Sequence, residues 1–199
     1  EVQITFDGDG DRLLFVDDQG SILDGDALLY IIVQDRLRTK GECAGVAGTL
    51  MTNFGLELAF KDLGVPFARA NVGDRYVNEL MQKNGWLIGG ENSGHIICSD
   101  VTSTGDGIVA ALKVLFAVVS SGKKISQLMD GLDMLPQVMI NVTRSKEIDL
   151  ASEPAIAAAV SQAGDSLGDN GRVLLRPSGT EPLVRVMVEG VNQQEIQRL

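Results

Sequence analysis

Between Asp24 and Leu132, short apolar runs alternate with longer stretches of helical periodicity, and this alternation constrains the fold more than any other feature of the chain. Strands that alternate with helices build a parallel or mixed sheet under a helical cover. The spacing predicts a helix from Asp24 or Asp26 to about Arg38, capped by aspartate, with Leu28, Leu29, Ile32 and Val33 on its apolar side. A buried strand is expected over Ala44 to Ala47. A helix should follow from about Phe54 to Leu63, ended by Gly64 and Pro66, and then a strand over Phe67 to Ala70. Val72 to Arg75 turns into a helix carrying Tyr76, Val77, Leu80 and Met81. Trp86 to Ile88 reads as a strand, with His95 to Cys98 as its partner. Asp106 heads the strongest helical pattern, with Ile108, Leu112, Leu115, Phe116 and Val119 on one face.

Near Asp133 the pattern changes. Gln137 to Thr143 is strand-like, Pro154 to Ala163 is an alanine-rich helix, Arg172 to Leu175 and Leu183 to Glu189 are strands, and a helix restarts at Gln193. The expected fold is therefore α/β, a mixed or parallel sheet covered by helices over residues 24–132. A smaller α+β domain over 133–199 follows, with a hinge at about Leu132 to Pro136.

Three loops carry chemistry. Asp7-Gly8-Asp9-Gly10-Asp11-Arg12 lies between strand-like runs. In extended backbone, side chains at i, i+2 and i+4 share a face, so the three carboxylates can converge. Two carboxylates ~5 Å apart repel by about 3 kcal/mol at an effective dielectric of ~20, so such a cluster calls for a cation or protons. Oxygen ligands alone favour a hard ion, Mg²⁺ or Ca²⁺; an acidic surface turn is the plain alternative. An EF-hand is excluded, because its glycine position holds Arg12 and its last ligand position holds Asp18. Gly89 to His95 sets Glu91, Asn92, Ser93 and His95 on a glycine-framed turn, suited to reading sugar hydroxyls or serving only as a hairpin with His95 exposed at its edge. Arg176-Pro177-Ser178-Gly179-Thr180-Glu181-Pro182, with Arg185 beyond it, offers successive N–H groups, two hydroxyls and two guanidiniums. That set makes an anion nest or, again, a β-turn with surface arginines. Neither a P-loop nor a dinucleotide fingerprint is present.

Composition excludes other classes. A net charge of -10 argues against nucleic acid or an anionic membrane as partner. Cys43 and Cys98 form no C-x-x-C pair, which fits a reduced, cytoplasmic setting. With one histidine, His95, a His-rich zinc site is ruled out. The apolar run Ile108 to Val119 is broken by Lys113 and is too short to span a bilayer. Both ends look cut from something longer.

Together and in this order, the three loops resemble the metal, sugar and phosphate loops of the α-D-phosphohexomutase superfamily. Gly48 to Asn53, Val72 to Val77 and Leu135-Pro136-Gln137 resemble its bacterial glucosamine-phosphate branch. The resemblance implies a four-domain enzyme. Residues 1–23 would end domain two, 24–132 would form domain three, and 133–199 most of a TATA-binding-protein-like domain four. It implies interconversion of glucosamine 6-phosphate and glucosamine 1-phosphate through a phosphoserine and a bisphosphate, feeding UDP-N-acetylglucosamine and cell-wall synthesis. Asp7, Asp9 and Asp11 would hold Mg²⁺. Arg12 would meet phosphate, with His95 or Asp74 moving a proton. Glu91, Asn92 and Ser93 would read the sugar, and Arg176, Ser178, Gly179, Thr180 and Arg185 the non-reacting phosphate. A phosphosugar is the implied partner, a homodimer is compatible, and neither nucleic acid nor membrane is expected. The family's serine loop of Ser-His-Asn-Pro type has no counterpart here, so the chain alone is expected to be inactive. A mannose- or glucose-phosphate mutase, or a non-catalytic phosphosugar-binding module, is the alternative.

Overall fold

A computed structural model describes residues 2–143, 152–178 and 181–199. The chain divides into two compact units, one up to Asp133 and one from Met134 onward.

The first unit begins with an antiparallel meander, β1 (Gln3–Phe6), β2 (Leu13–Val16) and β3 (Ile22–Leu23). Phe6 pairs with Leu13, so residues 7–12 form the tight connection between β1 and β2. Helix α1 (Gly25–Lys40) follows. The Asp24 carboxylate caps it by accepting hydrogen bonds from the N–H groups of Asp26 and Ala27, and Gly41 closes it at φ 77°. Leu28, Leu29, Tyr30, Ile31, Ile32 and Val33 are all buried, so the first half of α1 is apolar all round and forms the centre of the core. The Tyr30 hydroxyl finds its partner in the Asp130 carbonyl at 2.9 Å.

Next come β4 (Val46–Thr49), α2 (Phe54–Asp62), β5 (Phe67–Ala70), α3 (Asp74–Asn84), β6 (Ile88–Gly90), β7 (Ile96–Cys98) and α4 (Gly107–Ser121). Sheet order is β5-β4-β6-β7. β4 runs parallel to β5 and β6, while β7 returns antiparallel to β6. This is the mixed sheet with helical cover that the alternation predicts. The second unit holds β8 (Gln137–Thr143), α5 (Pro154–Leu167), β9 (Gly171–Pro177), β10 (Leu183–Gly190) and α6 (Gln193–Arg198), with an antiparallel sheet ordered β8-β10-β9.

Local expectations fail where tertiary contacts decide. The strand expected over Ala44 to Ala47 begins at Val46, because the Trp86 indole lies where any side chain at Gly45 would go and Gly45 takes φ 156°. Trp86 is not in a strand either. Its N–H donates to the Met81 carbonyl, part of the α3 C-cap built on Gly85, and the strand starts at Ile88. The face of α4 is mostly inverted. Its buried side is Gly107, Ala110, Ala111, Val114 and Ala117; of the expected face only Leu115 packs against the core, while Ile108, Leu112, Phe116 and Val119 are exposed. Both stripes are apolar at helical spacing, and the small residues let α4 approach α1 closely.

Cys98 is buried in β7, and burial pushes its thiol up to about 11 from 9.0. The unfolded thiol ionises first as pH rises. The stability that Cys98 contributes is therefore full below pH 9.0 and lost as pH climbs through 11. Urea midpoints should fall over that window by the equivalent of up to about 2–3 kcal/mol, and fall less in Cys98→Ala. An equal fall in both proteins would remove the assignment.

Candidate active site

In the first unit, the loop 7–12 is a tight bend, with Gly10 at φ 74°. Asp7 builds it, since its Oδ1 accepts the N–H groups of Gly10 at 3.1 Å and Arg12 at 3.2 Å. Carboxylate oxygens of Asp7, Asp9 and Asp11 lie within 4.8 Å of one another. The convergence comes from the bend rather than from the extended alternation that the sequence suggests. Three convergent oxygens, with Oδ1 of Asp11 buried and lacking a partner among the described residues, fit a hard divalent cation. The first turn of α4 meets this loop, because the Gly107 N–H donates to the Gly10 carbonyl at 3.0 Å. That places positive helix-terminal potential beside the acidic cluster.

The Glu91 to His95 turn is stitched to the same place. The Leu13 N–H donates to the Gly94 carbonyl, Arg12 and His95 form an antiparallel bridge, and the Gly25 N–H at the start of α1 donates to the Asn92 carbonyl. Two glycines make this possible. A Cβ on Gly94 would lie 2.1 Å from the Leu13 oxygen, and one on Gly25 would lie 2.0 Å from the Glu91 oxygen. Ser93 is exposed and shares a cleft of about 230 Å³ with Asp7, Arg12, Phe6 and Leu14. Glu91 is buried, and its Oε1 accepts the Gly73 N–H at 2.9 Å, which ties the turn to the start of α3. Asn92 is half-buried, and Asp74 is exposed as the first residue of α3.

The reading of His95 as exposed at a hairpin edge is wrong: the residue is 4% exposed. Its Nδ1 lies 2.9 Å from Oδ2 of Asp11. Burial pushes the Asp11 carboxyl up, but the hydrogen bond from His95, the contact with Asp7 and the charges of His95 and Arg12 outweigh it. The group ionises below its ordinary value. Gly105 lies against the His95 ring; in the sequence its one signal is a glycine standing beside the Asp106 cap.

In the second unit, Arg176 on β9 faces Arg185 on β10 directly across the ladder. Like charges directly opposite are destabilising, and Glu181, 3.7 Å from Arg185, offsets them only in part. Ser178 is buried. Its N–H donates to the Leu183 carbonyl, and its Oγ accepts the Glu181 N–H. Gly179 and Thr180 lie outside the described residues.

Residues 24–134 match the family description phosphoglucomutase/phosphomannomutase, alpha/beta/alpha domain III, and residues 139–199 match its C-terminal domain. Curated relatives include a phosphoglucosamine mutase of Cellvibrio japonicus, 57% identical over 100% of this chain and 45% of its own length. Another, of Aeromonas hydrophila, is 54% identical over 98% of this chain and 44% of its own. The chain thus spans about 45% of the curated relatives it matches. Among solved structures, an Aspergillus fumigatus N-acetylphosphoglucosamine mutase in complex with GlcNAc-6P and magnesium superposes with a TM-score of 0.80 at 21% identity. It covers 100% of this chain and 50% of that one, a likeness of fold. On the two domain matches, which together take in most of its residues, the chain belongs to the phosphoglucomutase/phosphomannomutase family.

Proposed function

We propose that this chain carries the metal, sugar and phosphate loops of a phosphoglucosamine mutase, which interconverts glucosamine 6-phosphate and glucosamine 1-phosphate. The observation that carries the reading is the convergence of the Asp7, Asp9 and Asp11 carboxylates beside a cleft that Asp7 shares with Arg12 and Ser93. Relatives of that name, more than half identical across almost the whole chain, support the choice of branch.

Asp7, Asp9 and Asp11 would hold Mg²⁺. A hard divalent cation bound there would neutralise charge on a phosphoryl group. Arg12 stands beside the aspartates to grip that group. Ser93, on the cleft, and Glu91 and Asn92 in the same turn are the proposed sugar readers. Proton transfer falls to His95 or Asp74. Of the two, Asp74 is exposed, whereas in His95 Nδ1 faces Asp11 and Nε2 is buried. Arg176 and Arg185, with Ser178, Gly179 and Thr180, are proposed to hold the phosphate that does not react; an anion between the two guanidiniums would relieve their repulsion. Residues 1–23, 24–132 and 133–199 are proposed as the end of domain two, domain three and most of domain four.

Phosphoryl transfer of this kind needs a nucleophile that carries the group between turnovers. A coupled assay with glucosamine 6-phosphate, Mg²⁺ and a hexose bisphosphate primer should give no turnover with these 199 residues. A version extended to the length of the relatives should be active. Turnover by the 199 residues alone would place the nucleophile within them. Mannose 6-phosphate as the better substrate of the extended protein would replace the branch assignment.

A further inference from the structure

His95 is the sole histidine of the chain and is almost fully buried. An ionised Asp11 can only accept, so the nitrogen facing it at 2.9 Å must donate, and Nδ1 carries a proton. Nε2 is buried and has no hydrogen-bond partner among the described residues. It lies against Gly105. A Cβ built on Gly105 would fall 2.1 Å from Nε2 and 2.4 Å from Cε1. Gly105 is fixed there by the bridge between Ile97 and Gly105, just before the Asp106 cap of α4. The ring is thus wedged between a backbone with no side chain and one carboxylate of the acidic cluster.

We propose that His95 is a positioning residue of the metal loop, its Nδ1–H aiming the Asp11 carboxylate into the cluster, and that Gly105 is the seat which admits the ring. The proposal rests on the reading of Asp7, Asp9 and Asp11 as metal ligands. Partners that orient ligating groups are commonly worth 10–100-fold in metal affinity. Here the orienting duty lies with the histidine and the ligating duty with the carboxylate. It requires only Nδ1, and the burial of Nε2 against Gly105 leaves that nitrogen free of any competing contact with solvent.

Titration of the 199-residue protein with Mg²⁺, and with Mn²⁺ followed by electron paramagnetic resonance, tests this without any assay of activity. His95→Ala should weaken ion binding about 10-fold or more. His95→Asn puts an amide N–H where Nδ1 was and should restore most of the affinity. His95→Gln puts it where Nε2 was and should not. Gly105→Ala should behave like His95→Ala, with circular dichroism confirming that the fold is kept. Nitrogen NMR of the single imidazole should show protonated Nδ1, and Asp11→Ala should abolish the protection of that proton. Unchanged affinity in His95→Ala, or equal rescue by Gln and Asn, would overturn the proposal. Equal affinity in the parent and Asp9→Ala would instead remove the metal loop itself, and the proposal with it.

Discussion

Replacing Arg172 by leucine is expected to cost the second unit about 3–5 kcal/mol, the usual penalty for leaving a buried charge without its partner. Glu189, in the middle of the β8-β10-β9 sheet, is 0% exposed. Arg172 lies opposite it on β9 and Gln137 opposite it on β8. The Arg172 Nε donates to Oε2 at 2.7 Å and the Gln137 Nε2 to Oε1 at 2.6 Å. The carboxylate cannot move to water from the central strand, so its countercharge cannot be replaced by solvation. Trp86, the only tryptophan, lies in the first unit. Denaturation followed by its fluorescence should therefore be little altered, while far-ultraviolet dichroism should gain an early transition. Coincident, unshifted transitions would show that Glu189 is not held in this way. The double change Arg172→Leu with Glu189→Leu should recover much of the loss, because an apolar pair of similar volume removes the desolvation cost altogether.

Gly94→Ala should be equally damaging, by more than about 3 kcal/mol, and should also abolish Mg²⁺ binding. The added methyl meets the Leu13 carbonyl oxygen at 2.1 Å from a backbone held at φ 94°. Both strain and clash act on rigid neighbours: the Leu13 backbone belongs to β2, and the far side of the turn is held by Asn92 against the start of α1. Relief requires the Glu91 to His95 turn to lift from the aspartate loop. Gly8→Ala is the control inside that loop, since nothing lies within 4 Å of the added methyl, and it should leave stability and ion binding nearly unchanged. A tolerated Gly94→Ala would mean that the two loops are not tied through this contact.

Much of the fold can be read from local signals. Asp24 and Asp106 precede apolar-periodic stretches and do cap α1 and α4, because capping depends on residues a few positions apart. The short strand β3 and the true face of α4 are not legible, since both are chosen by what packs against them. Ile108 and Ala111 both count as apolar in a periodicity count, yet only Ala111 is buried in the core. At the site, the alternating aspartates advertise their convergence. The burial of His95 does not show, because it depends on Gly105, ten residues away, and on Asp11, eighty-four away. The cross-strand opposition of Arg176 and Arg185 is hidden for the same reason, being fixed by the register of β9 against β10.

The outward ridge of α4 has a colloidal consequence. Ile108, Leu112, Phe116 and Val119 form a greasy comb along three turns, interrupted by Lys113 alone. At neutral pH the comb rides on a chain of net charge -10, whose mutual repulsion opposes association of copies through it. That repulsion disappears near the isoelectric point of 4.5 and is screened within about 10 Å at 0.1 M salt, whereas the attraction between combs is not. Association through the comb is therefore expected to rise as the pH nears 4.5 or as salt is added, with the fold intact.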